Sequence, residues 1–160
     1  MDPRLESLNT LLVETFNAIL KVEEQSLRRA TQESVTVTEL HLLDAVAKDG
    51  QATISSLAAA TKVTAGTMTT AVNRLEAKQY VERVREVADR RVVRVRLTEK
   101  GRALAYAHKR FHRRMARAVV QGLPEPEIDV LTRAMENIRN FFREEGNSLR
   151  DGMQMTEKTE

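Results

Sequence analysis

The chain has no cysteine and no tryptophan, and only 4% of its 160 residues are aromatic. Without cysteine, a disulfide framework, a thiolate zinc site and a cysteine redox switch are all excluded. No stretch approaches the roughly 18–20 consecutive apolar residues that a bilayer span needs. The amino-terminal MDPRLESLNTLL lacks a basic start and an apolar core, so it does not read as an export signal. The expectation is a cytoplasmic protein without membrane contact. Signatures of catalysis are missing too: there is no phosphate loop, no serine in a nucleophile turn, and too few acids surround the three histidines. The sequence therefore predicts neither an enzyme nor a resident cofactor.

What is present points to helices. Apolar residues make up 41% and charged residues 31%, with long stretches rich in Ala, Leu, Glu and Arg. The length suits one domain, or one domain with a dimerising extension. Net charge is +3, but residues 1–50 carry −4, residues 51–120 carry +11 and residues 121–160 carry −4. A merely solvated surface would intersperse its signs. A basic middle between acidic ends is the electrostatic footprint of a nucleic-acid reader.

Periodicity and caps set out the elements. Leu5, Leu8, Leu12, Phe16, Ile19 and Leu20 recur at helical spacing and predict a long first helix from residue 3 to about residue 31. Thr36 and Glu39 form a capping box, with Val35 and Leu40 as a hydrophobic staple, so a second helix runs from Val37 to Ala47. Thr53 caps a short third helix with Ile54, Leu57 and Ala58 inward, and Thr64 caps a fourth with Met68, Val72 and Leu75 inward. VERVR and VVRVRL alternate with period two and read as strands, with EVADRR as the hairpin tip. Thr98 caps a fifth helix that ends at Gln121-Gly122. A last helix carries the narrow seam Ile128, Leu131, Met135, Ile138 and Phe142. Two tightly joined short helices followed at once by a hairpin make a winged helix-turn-helix, within a mainly α fold whose only β part is the wing.

The inward trio of the fourth helix turns Gly66, Thr69, Thr70 and Asn73 outward, flanked by Thr67 and Arg74, with Thr64 at its start. Small polar side chains let a helix sink into a major groove. Asn can pair with adenine, and Thr can meet a thymine methyl or a phosphate. In the tip, Asp89 can brace Arg91 through an Arg–carboxylate fork, and Arg83, Arg85, Arg94 and Arg96 either meet phosphates or pair with Glu82 and Glu86.

Residues 66–101, with Asp89-Arg90-Arg91 and Leu97-Thr98-Glu99-Lys100-Gly101, resemble the MarR family of dimeric repressors. VEEQSLRR, TELHLLDAV, VERVREVADRRVV and HKRFHRRM are similar to the branch of that family that represses fatty-acid-synthesis genes with long-chain acyl-acyl carrier protein as corepressor. One departure is Gln79, which stands where the family usually has Gly after the recognition helix. The resemblance implies double-stranded DNA with a pseudo-palindromic operator as partner, a homodimer, and Arg91 as the residue inserted in the minor groove. It divides the chain into an amino-terminal dimerisation and effector helix (1–34), the winged helix-turn-helix (35–98), carboxy-terminal dimerisation helices (99–146) and a polar, disordered tail (147–160).

The same resemblance places an effector between the first and fifth helices, with Phe16, Leu20, His41, His108, Phe111 and His112 as the pocket. Carrier proteins are acidic, so Lys109, Arg110, Arg113 and Arg114 on the fifth helix suit their docking. The rival effector is zinc. Three histidines and a carboxylate can bind Zn²⁺, and zinc-responsive members of the family use such a set, here Glu24 (or its neighbour Glu23), His41, His108 and His112. Ordinary half-buried histidines bonded to carboxylates give the same pattern. Whether an effector tightens or releases DNA is open at this level.

Overall fold

Capping residues decide where the helices begin. In the computed structural model, which describes residues 2–31, 35–50, 52–86 and 92–157, α1 (Pro3–Ala30) starts behind Asp2. The Asp2 carboxylate accepts from the Arg4 N–H, and Pro3 sits where a missing N–H costs nothing. In α2 (Val37–Asp49) the capping box forms as the sequence predicts: the Glu39 N–H donates to Thr36 Oγ1 at 3.2 Å, and the Thr36 N–H donates to Glu39 Oε2 at 2.9 Å. Thr53 and Ser56 repeat the device for α3 (Ile54–Thr61), and Thr64 caps α4 (Ala65–Ala77). The Thr98 hydroxyl accepts the Gly101 N–H at the start of α5 (Glu99–Val119), which stops just ahead of Gly122 at φ 82°. The last helix, α6 (Glu125–Glu157), runs beyond residue 146, where the sequence reading ended the helices; residues 158–160 lie outside the described residues.

The described strands form one antiparallel sheet in the order β1 (Ala52–Thr53), β3 (Val93–Leu97), β2 (Val81–Arg85). Val81 pairs with Leu97 and Arg85 with Val93. Alternation sends Val95 and Leu97 into the core and leaves Arg96 exposed. The expectation for the strand pair holds. The two-residue β1, paired to Val95 and Arg94, is too short for any period-two signal to reveal.

Residues 1–112 form one compact unit and residues 113–160 another. The core of the first gathers Leu40, Leu43 and Val46 from α2, Met68, Val72 and Leu75 from α4, and Tyr80, Val81, Val95 and Leu97 around the sheet. Fully burying a side chain of this size contributes about 1.5–3 kcal/mol. On α1 the pattern is inverted: Leu5, Leu8, Leu11, Phe16 and Leu20 are exposed, and among its described side chains only Glu23 and Leu27 are buried. In the second unit Ile128, Leu131 and Ile138 are half-buried, while Met135, Phe141 and Phe142 are exposed on α6. No helix among the described residues is long and apolar enough to cross a membrane.

Two features fix how α4 ends. Gln79 takes the left-handed conformation at φ 60°, and the Tyr80 N–H reaches back to the Leu75 carbonyl at 2.9 Å. A non-glycine residue here costs about 1 kcal/mol, offset by Tyr80, whose side chain is 2% exposed. Beside it, Lys78 Nζ donates to both oxygens of buried Glu39 at 2.8 Å. Burial is the largest influence on the Glu39 carboxyl and pushes its pKa up. The hydrogen bonds and charge of Lys78 and the Thr36 N–H together outweigh it and hold the pKa below the ordinary carboxylate value. A depressed carboxyl stabilises the fold at neutral pH, and that contribution is lost as pH falls through the folded-state pKa. Lys78→Met is therefore expected to cost about 2–3 kcal/mol at neutral pH, since Lys78 is part-exposed. It should also remove a share of the acid-dependent loss seen in thermal melts. A melting temperature unchanged at neutral pH would contradict this.

Candidate nucleic-acid interface and effector region

The α3–α4 turn is made by Lys62, left-handed at φ 58°, followed by the Thr64 cap. Because Met68, Val72 and Leu75 are buried, Gly66, Thr67, Thr70, Asn73 and Arg74 are exposed and Thr69 is half-buried, as their spacing predicts. The hydroxyls are already engaged. Thr69 Oγ1 donates to the Ala65 carbonyl at 2.8 Å and Thr70 Oγ1 to the Gly66 carbonyl at 3.1 Å, while Thr64 Oγ1 accepts from the Thr67 N–H. With their protons spent on the helix, Thr69 and Thr70 offer methyls and lone pairs outward. That suits a thymine methyl better than a phosphate oxygen.

The wing arginines divide their work. Arg96 pairs with Glu82 at 2.8 Å across the strands, and Arg94 with Glu86 at 3.0 Å. Arg85 is exposed. Arg83 turns toward α4 and binds Glu76 and Asn73, a partnership that sequence reasoning missed. Asp89 and Arg91, with Val87, Ala88 and Arg90, lie outside the described residues.

Between α1, α2 and α5 the histidines converge. His108 is buried, and its Nδ1–H donates to Asp44 Oδ2 at 2.6 Å. His108 Nε2 lies 2.9 Å from His112 Nε2 and 3.2 Å from Glu23 Oε1, and His112 Nε2 lies 3.1 Å from the same Glu23 oxygen. His41 Nε2 is 3.9 Å from Glu23 Oε2. One ligand atom from each of Glu23, His41, His108 and His112 lies within 4.8 Å of the others. The carboxylate of the set is thus Glu23. Glu24, the residue favoured by the sequence reading, is exposed and pairs with Arg28 one turn on. A sequence signal existed, for Glu23 lies four residues before Leu27, on the buried side of α1.

Three of the six residues expected to line an effector pocket border described cavities, each a different one. Leu20 borders a cavity of about 470 Å³ with Thr31 and Val35. His41 borders one of about 740 Å³ with Met68 and Arg74, and His112 one of about 540 Å³ with Tyr106 and Lys109. Phe16 is exposed, and the Phe111 ring meets His112 edge-on at 5.5 Å, beside buried His108. Lys109, Arg110, Arg113 and Arg114 are all exposed on α5.

Comparison with known proteins is decisive at family level. The MarR family profile matches residues 34–92. FabT of Streptococcus pneumoniae, solved in complex with DNA, is 38% identical, with 88% of this chain and 98% of that chain covered and a TM-score of 0.78. The chain belongs to the MarR family. It is a MarR-type transcriptional regulator with the winged-helix fold. The repressor MdtR of Bacillus subtilis (strain 168) is 30% identical over 81 residues, and the match spans about half of each chain (51% and 52%). A MarR-family protein from Bacillus stearothermophilus shares the fold at 24% identity, with 89% of this chain and 99% of that chain covered and a TM-score of 0.63. The MarR profile covers α2 to the wing, the segment that carries the exposed α4 face.

Proposed function

We propose that this MarR-type chain is a dimeric repressor that binds a pseudo-palindromic operator in double-stranded DNA at fatty-acid-synthesis genes, with long-chain acyl-acyl carrier protein as corepressor. The observation that carries this reading is the 38% identity with FabT across 88% of the chain, since that structure contains DNA. In this reading Thr64, Gly66, Thr67, Thr69, Thr70, Asn73 and Arg74 meet the major groove, and Arg91, braced by Asp89, enters the minor groove. The uncovered apolar residues of α1 and of α6 support a second copy as partner, because exposed apolar patches of this kind mark association surfaces. Lys109, Arg110, Arg113 and Arg114 recur at one-turn spacing along α5 and suit an acidic carrier protein.

The test is a mobility-shift titration on the chain's own promoter region, with and without long-chain acyl-acyl carrier protein. The acylated carrier should tighten the complex and the unacylated carrier should not. Equal binding in all three lanes would remove the corepressor, and no shift at all would remove the operator reading.

One observation favours a second reading, in which Zn²⁺ is the signal. Asp44 accepts the hydrogen bond of His108 Nδ1–H and leaves Nε2 for a ligand, the outer-sphere carboxylate common at histidine metal sites. Three imidazoles and the Glu23 carboxylate suit Zn²⁺ in type and number. A bound ion would tie α1, α2 and α5 together at one point. In the same titration, tightening by Zn²⁺ that EDTA reverses and Glu23→Gln abolishes would favour this reading over the first. Indifference to both additions would end it.

A further inference from the structure

Arg83 leaves β2 and reaches the outer edge of α4, where its guanidinium is shared between two side chains. Its Nη1 donates to Glu76 Oε2, its backbone N–H donates to Glu76 Oε1 at 3.2 Å, and its Nη2 donates to Asn73 Oδ1 at 2.6 Å. Asn73 and Glu76 lie three residues apart, so both face the strand from the same side of α4. Arginine has donors and no acceptor. The Asn73 amide therefore has one orientation, with Oδ1 toward Arg83 and the NH2 group away from it.

The orientation matters because asparagine reads adenine with both halves of its amide: Oδ1 accepts from N6 and Nδ2 donates to N7. Here a charged donor already takes one lone pair of the accepting half and fixes the side it faces. Glu76 holds that donor in place, and the Arg83 side chain is only 25% exposed. What Asn73 presents outward is a donor.

We propose that Arg83 is a positioning residue for base readout: by holding Asn73 Oδ1 toward the strand it turns the amide NH2 group outward, so that Asn73 reads as a donor and favours guanine at one position under α4 over the adenine that a freely turning amide would pair with through both halves. Guanine offers two neighbouring acceptors, N7 and O6, to an outward donor. Adenine offers N7 alone and thymine O4 alone, and cytosine would set its own N4 donor against the Asn73 donor. This inference rests on the operator-binding reading above. It assigns Arg83 away from the phosphates, where its place in an arginine-rich strand would otherwise put it.

The experiment is selection from a pool of duplexes with randomised centres, using the full chain as wild type, Arg83→Ala and Asn73→Asp. Wild type should enrich guanine at one position in each half-site. Arg83→Ala frees the Asn73 amide to turn Oδ1 outward and should admit adenine there, a shift of roughly ten-fold in relative preference, with the other positions unchanged. Asn73→Asp keeps one oxygen for Arg83 and turns another outward, so it should move the preference toward cytosine even as overall affinity falls. An Arg83→Ala protein that melts like wild type and keeps the wild-type preference would reduce the contact to a staple between α4 and β2. Should Arg83→Ala fail to fold, Asn73→Asp decides alone, and an unmoved base preference overturns the proposal. A wild-type chain that enriches no sequence overturns the operator reading itself, before any variant is compared.

Discussion

Gly101→Ala is expected to destabilise the fold strongly and to lower its denaturation midpoint well below that of the wild type. Gly101 lies in the first turn of α5, and a Cβ there would overlap the Tyr80 carbonyl oxygen and approach the Leu97 side chain to 3.4 Å. The Tyr80 carbonyl has nowhere to go. It accepts the Thr98 N–H at 3.1 Å and lies 3.2 Å from the Thr98 hydroxyl, and Tyr80 itself is fully buried beside the left-handed turn at Gln79. Relief would require α5 to lift off the sheet edge and give up the Thr98 cap. Overpacking against rigid backbone of this kind costs about 3 kcal/mol or more, a large share of the stability of a domain this size. A chemical-denaturation midpoint within error of wild type would contradict the close approach. Gly66→Ala is the control, because a Cβ there meets only Thr64 Oγ1, at 3.9 Å.

Operator affinity is expected to collapse as salt rises. Residues 51–120 carry sixteen Lys and Arg against five Asp and Glu. Part of that charge is internally spent, since Arg83, Arg94 and Arg96 are paired with Glu76, Glu86 and Glu82. If two copies together neutralise six to ten phosphates, affinity should fall by about 10³–10⁵ between about 50 and 200 mM salt. A slope near zero in a salt series of mobility shifts would mean that the basic middle of the chain does not face DNA. Arg91→Ala should weaken binding further, by roughly 1–3 kcal/mol, and blunt a preference for A·T steps at the wing. The same loss on every sequence would instead make Arg91 a phosphate contact.

The fold was largely legible because its signals are local. Capping residues at Thr36, Thr53, Thr64 and Thr98, with apolar residues at threes and fours, place α1 to α5 within about two residues of their observed bounds. The outward face of α4 follows from the same arithmetic, because burial of Met68, Val72 and Leu75 leaves only one direction for Asn73. Even the family departure at Gln79 was visible, and its side chain is accommodated in the left-handed turn without disturbing the Tyr80 N–H bond to Leu75.

The candidate sites were legible only in part. The three histidines were marked as a group, but the carboxylate that joins them is Glu23 and not Glu24. One residue along α1 is about a 100° rotation, and which side is inward depends on the position of α2 and α5. Asp44, which orients His108 from 64 residues away, left no trace in the spacing.

The sequence by itself determined a mainly helical winged helix-turn-helix, its caps, its basic middle and the residues α4 turns outward, since helical and strand periods are properties of neighbouring residues. The tertiary structure alone decided which charges meet: Arg83 with Asn73 and Glu76, Lys78 with Glu39, and Glu23 with three histidines. Those pairings join side chains that the chain brings together only once the elements have packed, and a distance set by packing is written in no single stretch.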